Sequence, residues 1–371
     1  MSMLTAVAMS GGLDSSVVAW LLSQGGSSVV GLSMLLWDRS EENTHGRCCG
    51  ALDLGDAKRV AQHCGIRHYT LRMDESFREH VVDPFIHDYL DGRTPSPCVR
   101  CNTWIKFDLF LERARQLGAD RMATGHYARV VETPDGYELH TARDSGKDQS
   151  YFLFEMTQDQ LASVDFPLGE MAKSDVRDLA RKARLSVAEK AESMEICFVS
   201  SGIQEFIEEQ VVNNPDRFPR APRAEASEIV DKEGNRLGRG DPYYRYTVGQ
   251  RRGLGVSSSE RLYVLGVESE QNRVIVGTDE DLESRGLVGE RLHWIGPTPE
   301  GVIEASVKIR SRHPGVRAQI RPQADHRVEV EFEVPQRGVA PGQAAVFYQG
   351  TRVLGGCWIS SSLESAFQPQ Q

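Results

Sequence analysis

The chain has 371 residues, a formal net charge of −10, and 40% hydrophobic and 26% charged residues. That length exceeds what one hydrophobic core usually organises, so two or three domains are expected, and the composition is that of an ordinary globular protein. No apolar run is long enough to span a membrane, the start "MSMLTAVAMSGG" is interrupted too early for a signal peptide, and seven cysteines are an odd number for a secreted disulfide framework; cytoplasmic residence with reduced cysteines is the expectation.

Residues 4–9 form an apolar run that reads as a buried strand, and 15–24 follow with helical spacing up to Gly25-Gly26. A second buried strand is expected over 28–37, a helix over 53–64 and a strand over 68–73. A long amphipathic helix is expected over 102–117, ending at Gly118, and a further strand over 121–127. Strands alternating with helices predict a parallel sheet with helices on both faces, running to about residue 200. A helix over 203–214 and the breaker-rich "NNPDRFPRAPR" close that regime. Turn dipeptides then recur at short intervals: Glu233-Gly234, Arg239-Gly240, Leu254-Gly255, Val276-Gly277 and Pro341-Gly342. Between them lie alternating stretches at 261–268, 273–277, 305–310, 327–333, 344–350 and 355–360, which predict a small β domain followed by a compact barrel. The expected division is 1–202, 203–272 and 273–371, with a disordered tail "QPQQ".

The negative net charge argues against nucleic acid as a partner, but the charge is uneven. Residues 301–327 carry Lys308, Arg310, Arg312, Arg317, Arg321 and Arg327 against Glu304 and Asp325. The stretch "RFPRAPR" (217–223) and Arg251-Arg252 add further cations. Local faces of this kind bind RNA, or are simply solvated.

The stretch "AVAMSGGLDSSVVAWLL" (6–22) places two glycines between a strand and a helix. Glycines let backbone N–H groups approach phosphate oxygens, and a helix N-terminus adds unpaired donors and partial positive charge. Asp14, Ser15 and Ser16 are also good helix-capping types, so a merely well-capped helix is the plainer reading. No lysine follows the glycines, which excludes a Walker A loop.

The segment "SGGLDSS" (10–16) closely resembles the PP-loop of the ATP pyrophosphatase superfamily, whose members adenylate a carbonyl or carboxyl oxygen and release pyrophosphate. Six further stretches are more specific: "TPSPCVRCNTWIKF" (94–107), "ATGHYAR" (123–129), "KDQSYFL" (147–153), "FPLGEMAKSDVR" (166–177), "EICFV" (195–199) and "YTVGQRRGLG" (246–255). With "APGQAAVFY" (340–348) they resemble, in order and over nearly the whole chain, the bacterial and organellar tRNA-specific 2-thiouridylase family. The resemblance implies an α/β doubly wound parallel-sheet PP-loop domain, then a small β-rich central domain and a C-terminal β-barrel. It implies ATP and Mg2+ as cofactors. The implied partners are a tRNA with a wobble uridine and a sulfur donor (a cysteine desulfurase, a relay protein or sulfide), acting on a monomeric enzyme.

In that family the wobble uridine exchanges its 2-oxygen for sulfur. Adenylation turns a poor leaving group into AMP, and a sulfur nucleophile displaces it. Cys101 matches the nucleophile and Cys197 the persulfide carrier, with a disulfide bond among the implied features. The "CN" beginning of the expected helix is read as lowering the Cys101 thiol pKa. In the best-known branch an aspartate stands three residues before the nucleophile; here it is Cys98. That departure leaves a second route open, in which Cys98, Cys101 and Cys197 hold an iron–sulfur cluster of the [4Fe-4S] type with one open iron. Zinc is a weaker alternative, since a closed structural site takes four ligands. Ala8, Met9, Ser10, Gly11, Gly12, Leu13, Asp14, Ser15 and Ser16 match the nucleotide loop, Met34 an adenine contact and Gly125 a further nucleotide contact. Pro97, Cys98 and His126 match positions near the target base. Lys147, Asp148 and Gln149 match a tRNA-contacting loop, and Arg310, Ser311 and Gln343 match tRNA contacts in the barrel. Cys64 and Cys357 read as buried apolar residues, Cys48-Cys49 as a surface loop near the nucleotide, and Glu192-Ser193 as a conservative form of the family's D-S pair. Two rival readings are another PP-loop ligase, such as a lysidine synthetase or amide-forming enzyme, and a metal- or RNA-binding module without turnover. The paired cysteines and barrel speak against the first, and the second leaves "SGGLDSS" unexplained.

Overall fold

The structure is a computed structural model that describes residues 3–26, 28–37, 51–191, 196–199, 202–219 and 225–363. The expectations for Cys48-Cys49, Glu192-Ser193, residues 220–223 and the tail lie outside them. The chain divides into two compact units, one of residues 1–82, 97–199 and 351–354, the other of 83–96, 200–350 and 355–371.

The first unit is an α/β doubly wound parallel sheet. Strand β1 (Leu4–Ala8) buries Thr5, Ala6 and Val7 and lies between β2 (Ser28–Leu35) and β4 (Arg121–Ala123). Outside them run β3 (Arg67–Arg72) beside β2 and β7 (Val164–Asp165) beside β4, all parallel, in the order β3-β2-β1-β4-β7. Helix α1 (Leu13–Gln24) packs Val17, Val18 and Ala19 with Ala57, Val60 and Ala61 of α2 (Ala51–His63) and Val176 and Ala180 of α4 (Lys173–Lys182). The chain winds outward from β1 to β3 and then returns to β4 on the other side of β1. The chain after β1 and the chain after β4 therefore lead to opposite sides of the sheet, which makes the space between these two strand ends a switch point, the place where open α/β sheets bind ligands.

Two local departures from the sequence pattern matter for the site. The expected strand over 121–127 stops at Ala123, and residues 124–127 form a loop above the sheet. The chain then makes a hairpin, β5 (Ala128–Thr133) and β6 (Gly136–Thr141), across the Pro134-Asp135-Gly136 turn. Arg352 and Val353 extend it by pairing with His140 and Leu139. The expected helix over 102–117 starts five residues early, because Pro97 opens it; proline suits a first helical turn, having no N–H to leave unpaired. This helix, α3, runs through Pro97–Arg100, Cys101–Phe110 and Leu111–Gln116, the middle stretch with π-helical hydrogen bonds.

The second unit holds helix α5 (Ile203–Asn213) and a small sheet of β8 (Glu228–Val230), β9 (Arg236–Arg239), β10 (Tyr263–Glu268) and β11 (Arg273–Gly277), ordered β10-β11-β8-β9. A barrel follows, formed by β12 (Glu283–Trp294), β13 (Ile303–Lys308), β14 (Val316–Pro322), β15 (Val328–Arg337), β16 (Ala344–Gln349) and β17 (Arg352–Leu363). Its strand order is β12-β15-β14-β13-β16-β17, and antiparallel pairing of β17 with β12 closes it.

The short edge strand β7 is tied to β4 by one side chain. The Arg121 guanidinium meets both Asp165 oxygens at 2.7 and 2.8 Å and donates to the Ala162 and Val164 carbonyls at 2.7 and 3.0 Å. Arg121→Met should lower the unfolding free energy by about 1–2 kcal/mol, at the low end for charge-assisted hydrogen bonds because both groups are partly solvated. Urea unfolding followed by circular dichroism measures it, and an unchanged midpoint would show that β7 needs no such tie.

Candidate active site

The loop after β1 is fixed from both sides. The Met9 N–H donates to Leu32 O at 2.7 Å, and Ser33 Oγ donates to Met9 O at 2.5 Å. Gly11 has φ +75°, and a Cβ there would lie 2.0 Å from the Asp53 carbonyl oxygen, so only glycine fits. Gly12 is the N-cap of α1, with extended backbone and no side-chain cap. The hydroxyls turn inward: Ser16 Oγ donates to Gly12 O at 2.7 Å, and Ser15 Oγ accepts from the Ser10 N–H at 3.1 Å. They shape the loop rather than close the helix end, so the first N–H groups of α1 remain directed out of its mouth. That corrects the plainer reading of a helix capped by its own side chains, and it fits an anion cradle.

Asp14, in the first turn of α1, accepts from Tyr127 Oη at 2.9 Å and from Lys173 Nζ at 2.7 and 2.8 Å. Lys190 Nζ donates to Gly11 O at 2.9 Å, Asp53 at 2.5 Å and Asp56 at 2.6 Å. Burial works against the Lys190 charge, but the hydrogen bonds to Asp53 and Asp56 outweigh it and raise its pKa. Sequence reading missed both lysines, which stand more than 150 residues from the loop they serve. "KSDVR" was visible as part of a family motif, yet only the fold says where its lysine points.

The loop after β4 joins this cradle to the cysteine helix. A Cβ on Gly125 would lie 2.8 Å from Ser15 N and 3.0 Å from Asp14 Cβ, so glycine is what allows the loop to touch the start of α1. The next residue, His126, is buried; its Nδ1 is 2.8 Å from Thr124 Oγ1 and its Nε2 is 3.5 Å from Lys106 Nζ of α3. Its ring packs near Phe107 of α3 and Phe166, with centroids at 5.5 and 5.9 Å. Burial first, and Lys106 second, hold the imidazole pKa well below its ordinary value, so His126 is neutral at physiological pH.

On α3, Pro97 is buried, Cys98 exposed and Cys101 buried. Cys101 stands one turn inside the helix, so the argument from a helix start, whose free N–H groups lie in the first turn, does not apply to it. Cys197 lies in a turn closed by Val199 N–H to Ile196 O at 3.1 Å. The adjacent Phe198 packs edge-on against Phe77 at 5.7 Å, and the Asp74–Phe77 helix packs on the Cys101–Phe110 stretch. The described cysteines form no disulfide. Among the described residues no three His, Cys, Asp or Glu are grouped to hold a metal ion. The expected ligand set of Cys98, Cys101 and Cys197 is thus not among groups of that kind; Cys98 is exposed, Cys101 buried and Cys197 partly buried. Cys357 is fully buried, which pushes its thiol pKa far up, and burial also raises that of Cys64. Cys357 thus sits as the buried apolar residue expected, whereas Cys64 is only partly buried, packed against the core beside α2.

Met34 is buried at the end of β2. In the 147–149 loop, Asp148 accepts from the Ala142 and Ser150 N–H groups at 3.0 and 3.2 Å and from Ser150 Oγ at 2.9 Å, while Gln149 Oε1 accepts from the Tyr127 N–H at 2.9 Å. These two side chains hold the loop; Lys147 is half-buried at its turn. In the barrel, Arg310 and Ser311 are exposed, and Gln343 Nε2 donates to Thr94 O and Pro95 O, each at 3.0 Å. The basic stretch is less basic in space than in sequence. Arg317 lies 3.9 Å from Glu304 and 3.8 Å from Glu333, and Arg321 lies 2.8 Å from Glu331 and 3.8 Å from Glu329. The cations of the turn before β14, Arg310 and Arg312, are exposed. No described helix is long and apolar enough to cross a membrane.

Three family models match this chain: the tRNA methyl transferase HUP domain over residues 3–201, the tRNA methyl transferase PRC-barrel domain over 220–278 and the aminomethyltransferase β-barrel domain over 284–359. A protein of Geotalea uraniireducens named tRNA-specific 2-thiouridylase MnmA is 50% identical over 366 residues, covering 97% of this chain and 95% of that protein. The chain belongs to the tRNA-specific 2-thiouridylase family. The 2-thiouridylases of Geobacter metallireducens and Rickettsia rickettsii are 48% and 41% identical, each over 96% of this chain and 96% of their own. A 2-thiouridylase is an enzyme, a tRNA sulfurtransferase, so a binding module without turnover is set aside.

His126 gives this site a pH signature. A histidine whose folded pKa is depressed supports stability fully above its unfolded pKa, about 6.5, and loses that support as pH falls below it, because the unfolded chain then binds the proton. Between pH 6.5 and 5 the wild-type unfolding free energy should therefore fall more steeply than that of His126→Gln, by up to about 1.4 kcal/mol per pH unit. Parallel slopes in urea titrations at stepped pH would mean that His126 protonates within the fold.

Proposed function

We propose that this chain is an ATP-dependent enzyme that replaces the 2-oxygen of the wobble uridine of tRNA with sulfur, by adenylation followed by transfer through cysteine. The observation that carries the reading is the loop of residues 124–127. Gly125 touches the mouth of α1, Tyr127 binds Asp14, and His126 packs against α3, the helix of Cys101. A substrate oxygen activated at the cradle would thus lie one loop away from a sulfur chemistry.

In this reading the backbone of residues 8–16 holds the triphosphate, with Met34 and Gly125 lining the nucleotide, and Asp14 would help to hold a Mg2+ ion, which would offset the phosphate charge. The uracil O2 attacks the α-phosphorus, pyrophosphate leaves, and C2 carries AMP as a leaving group. Neutral His126, with Pro97 and Cys98, lines the base pocket. Cys197 carries a persulfide supplied by the donor. Its terminal sulfur attacks C2 and expels AMP, leaving the base linked to Cys197 through a disulfide. The Cys101 thiolate then attacks the Cys197 sulfur, the electron pair of the broken S–S bond stays on the thiouridine, and a Cys101–Cys197 disulfide remains for an external dithiol to reduce. The functional division is 1–202 for catalysis, 203–272 as a small central domain and 273–371 as the tRNA-binding barrel, and the enzyme acts as a monomer in the cytoplasm. The barrel contributes Arg310, Ser311 and Arg312, while Gln343, Asp148 and Gln149 shape the segments that meet the tRNA and Lys147 contacts it.

The two half-reactions separate experimentally. Cys101→Ser and Cys197→Ser should each retain tRNA-dependent pyrophosphate release in a first turnover while losing thiouridine formation by at least about 100-fold. A wild-type enzyme that releases no pyrophosphate with tRNA and ATP would overturn the adenylation step. Thiolation by Cys197→Ser at the wild-type rate would overturn the carrier role.

The barrel face yields a salt test. Arg312→Ala should reduce the slope of log affinity against log salt by about 1, as for one lost phosphate contact, and Arg317→Ala by less than half of that, since Glu304 and Glu333 already surround it. Equal slopes for the two variants in filter binding would show that the carboxylates do not mask Arg317.

A further inference from the structure

The glycine loop has no lysine of its own, and the fold supplies two from elsewhere. They are not equivalent. Lys190 Nζ is held by three protein oxygens, one of them the Gly11 carbonyl, so it braces the glycine turn against α2. Lys173 Nζ rests on the carboxylate of Asp14 at the mouth of α1 and lies 5.6 Å from the Tyr127 ring centre. Its backbone is fixed: it is the first residue of α4, and its N–H donates to Asp144 Oδ2 at 2.9 Å. The anchor is rigid, and the four-carbon arm lets the ammonium change partner.

A triphosphate brought to this mouth meets the Asp14 carboxylate beside the same N–H groups. Two anions at one helix end repel unless cations are shared between them. The Asp14–Lys173 pair is neutral as a unit and offers an incoming phosphate little attraction while it stays closed. We infer that Lys173 is the phosphate-binding lysine of this site, held by Asp14 before nucleotide arrives and transferred to the triphosphate on binding, which frees Asp14 for the accompanying divalent cation. The inference rests on the proposal that ATP binds at this loop.

The test compares ATP with adenosine, which has no phosphate, by calorimetry on the full chain. Lys173→Met should weaken ATP binding by about 10- to 100-fold, the loss of one charge-assisted contact, and leave adenosine within twofold of wild type. Lys173→Arg should restore most of the ATP affinity. Loss of ATP and adenosine affinity in equal measure, or of neither, would overturn the inference and leave Lys173 as a brace for Asp14. Asp14→Asn supplies an independent arm: without its counter-charge Lys173 is already released, so this variant should bind magnesium-free ATP at least as tightly as wild type. Weaker magnesium-free binding by Asp14→Asn also refutes the exchange. A wild-type chain that binds neither ligand overturns the ATP reading itself, whereas a wild-type chain that binds ATP with Lys173→Met indistinguishable from it overturns only the role of Lys173.

Discussion

Two loops meet above the parallel sheet with no room for a side chain between them. The hydrogen atom of Gly125 occupies the space a Cβ would need against Ser15 N and Asp14. Because the β4 loop closes on the start of α1 at this point, Tyr127 reaches Asp14, and His126 is pressed between Phe107 and Phe166. The neutrality of His126 follows from the same contact, since a loop lifted away from the sheet would leave the imidazole solvated. The glycine loop and the cysteine helix are thus joined through one short loop.

The fold class was readable because the signals were local. Apolar runs at 4–9 and 28–37, the Gly25-Gly26 stop and the change to alternating strands beyond residue 225 needed no long-range information, and β1, β2, α1 and the closed barrel match them. The hairpin after β4 was equally local: its Thr133-Pro134-Asp135-Gly136 turn joins two alternating runs, and the strand–helix rhythm around it obscured the signal. The start of α3 was misplaced because a proline reads as a breaker unless its place in the first turn is considered.

The electrostatics of the site were not readable. Asp14 was visible as a capping type, but its counter-charge comes from Lys173, and the turn at Gly11 is braced by Lys190. The same blindness applied with opposite sign to the barrel. A window of sequence showed arginines at 317 and 321 among few acids, while strand pairing set Glu329, Glu331 and Glu333 of β15 beside them. Charge along a strand says little until its neighbours are known.

The widened stretch of α3 bears on how this region tolerates change. With each N–H reaching back five residues instead of four, the repeat is about 4.4 residues per turn, or about 80° per residue. On that repeat the buried Cys101, Asn102, Ile105, Phe107 and Phe110 fall on one side, and the exposed Trp104 and Asp108 on the other; a repeat of 3.6 would spread the buried set over an arc of about 240°. The inward direction of Cys101 is thus a property of helix winding as much as of residue choice. Removing a single residue between Cys101 and Phe110 would let the stretch relax to ordinary α-helical winding, and would rotate the thiol relative to the aromatic residues that anchor the helix. Insertions and deletions, far more than substitutions, are the changes this segment cannot absorb.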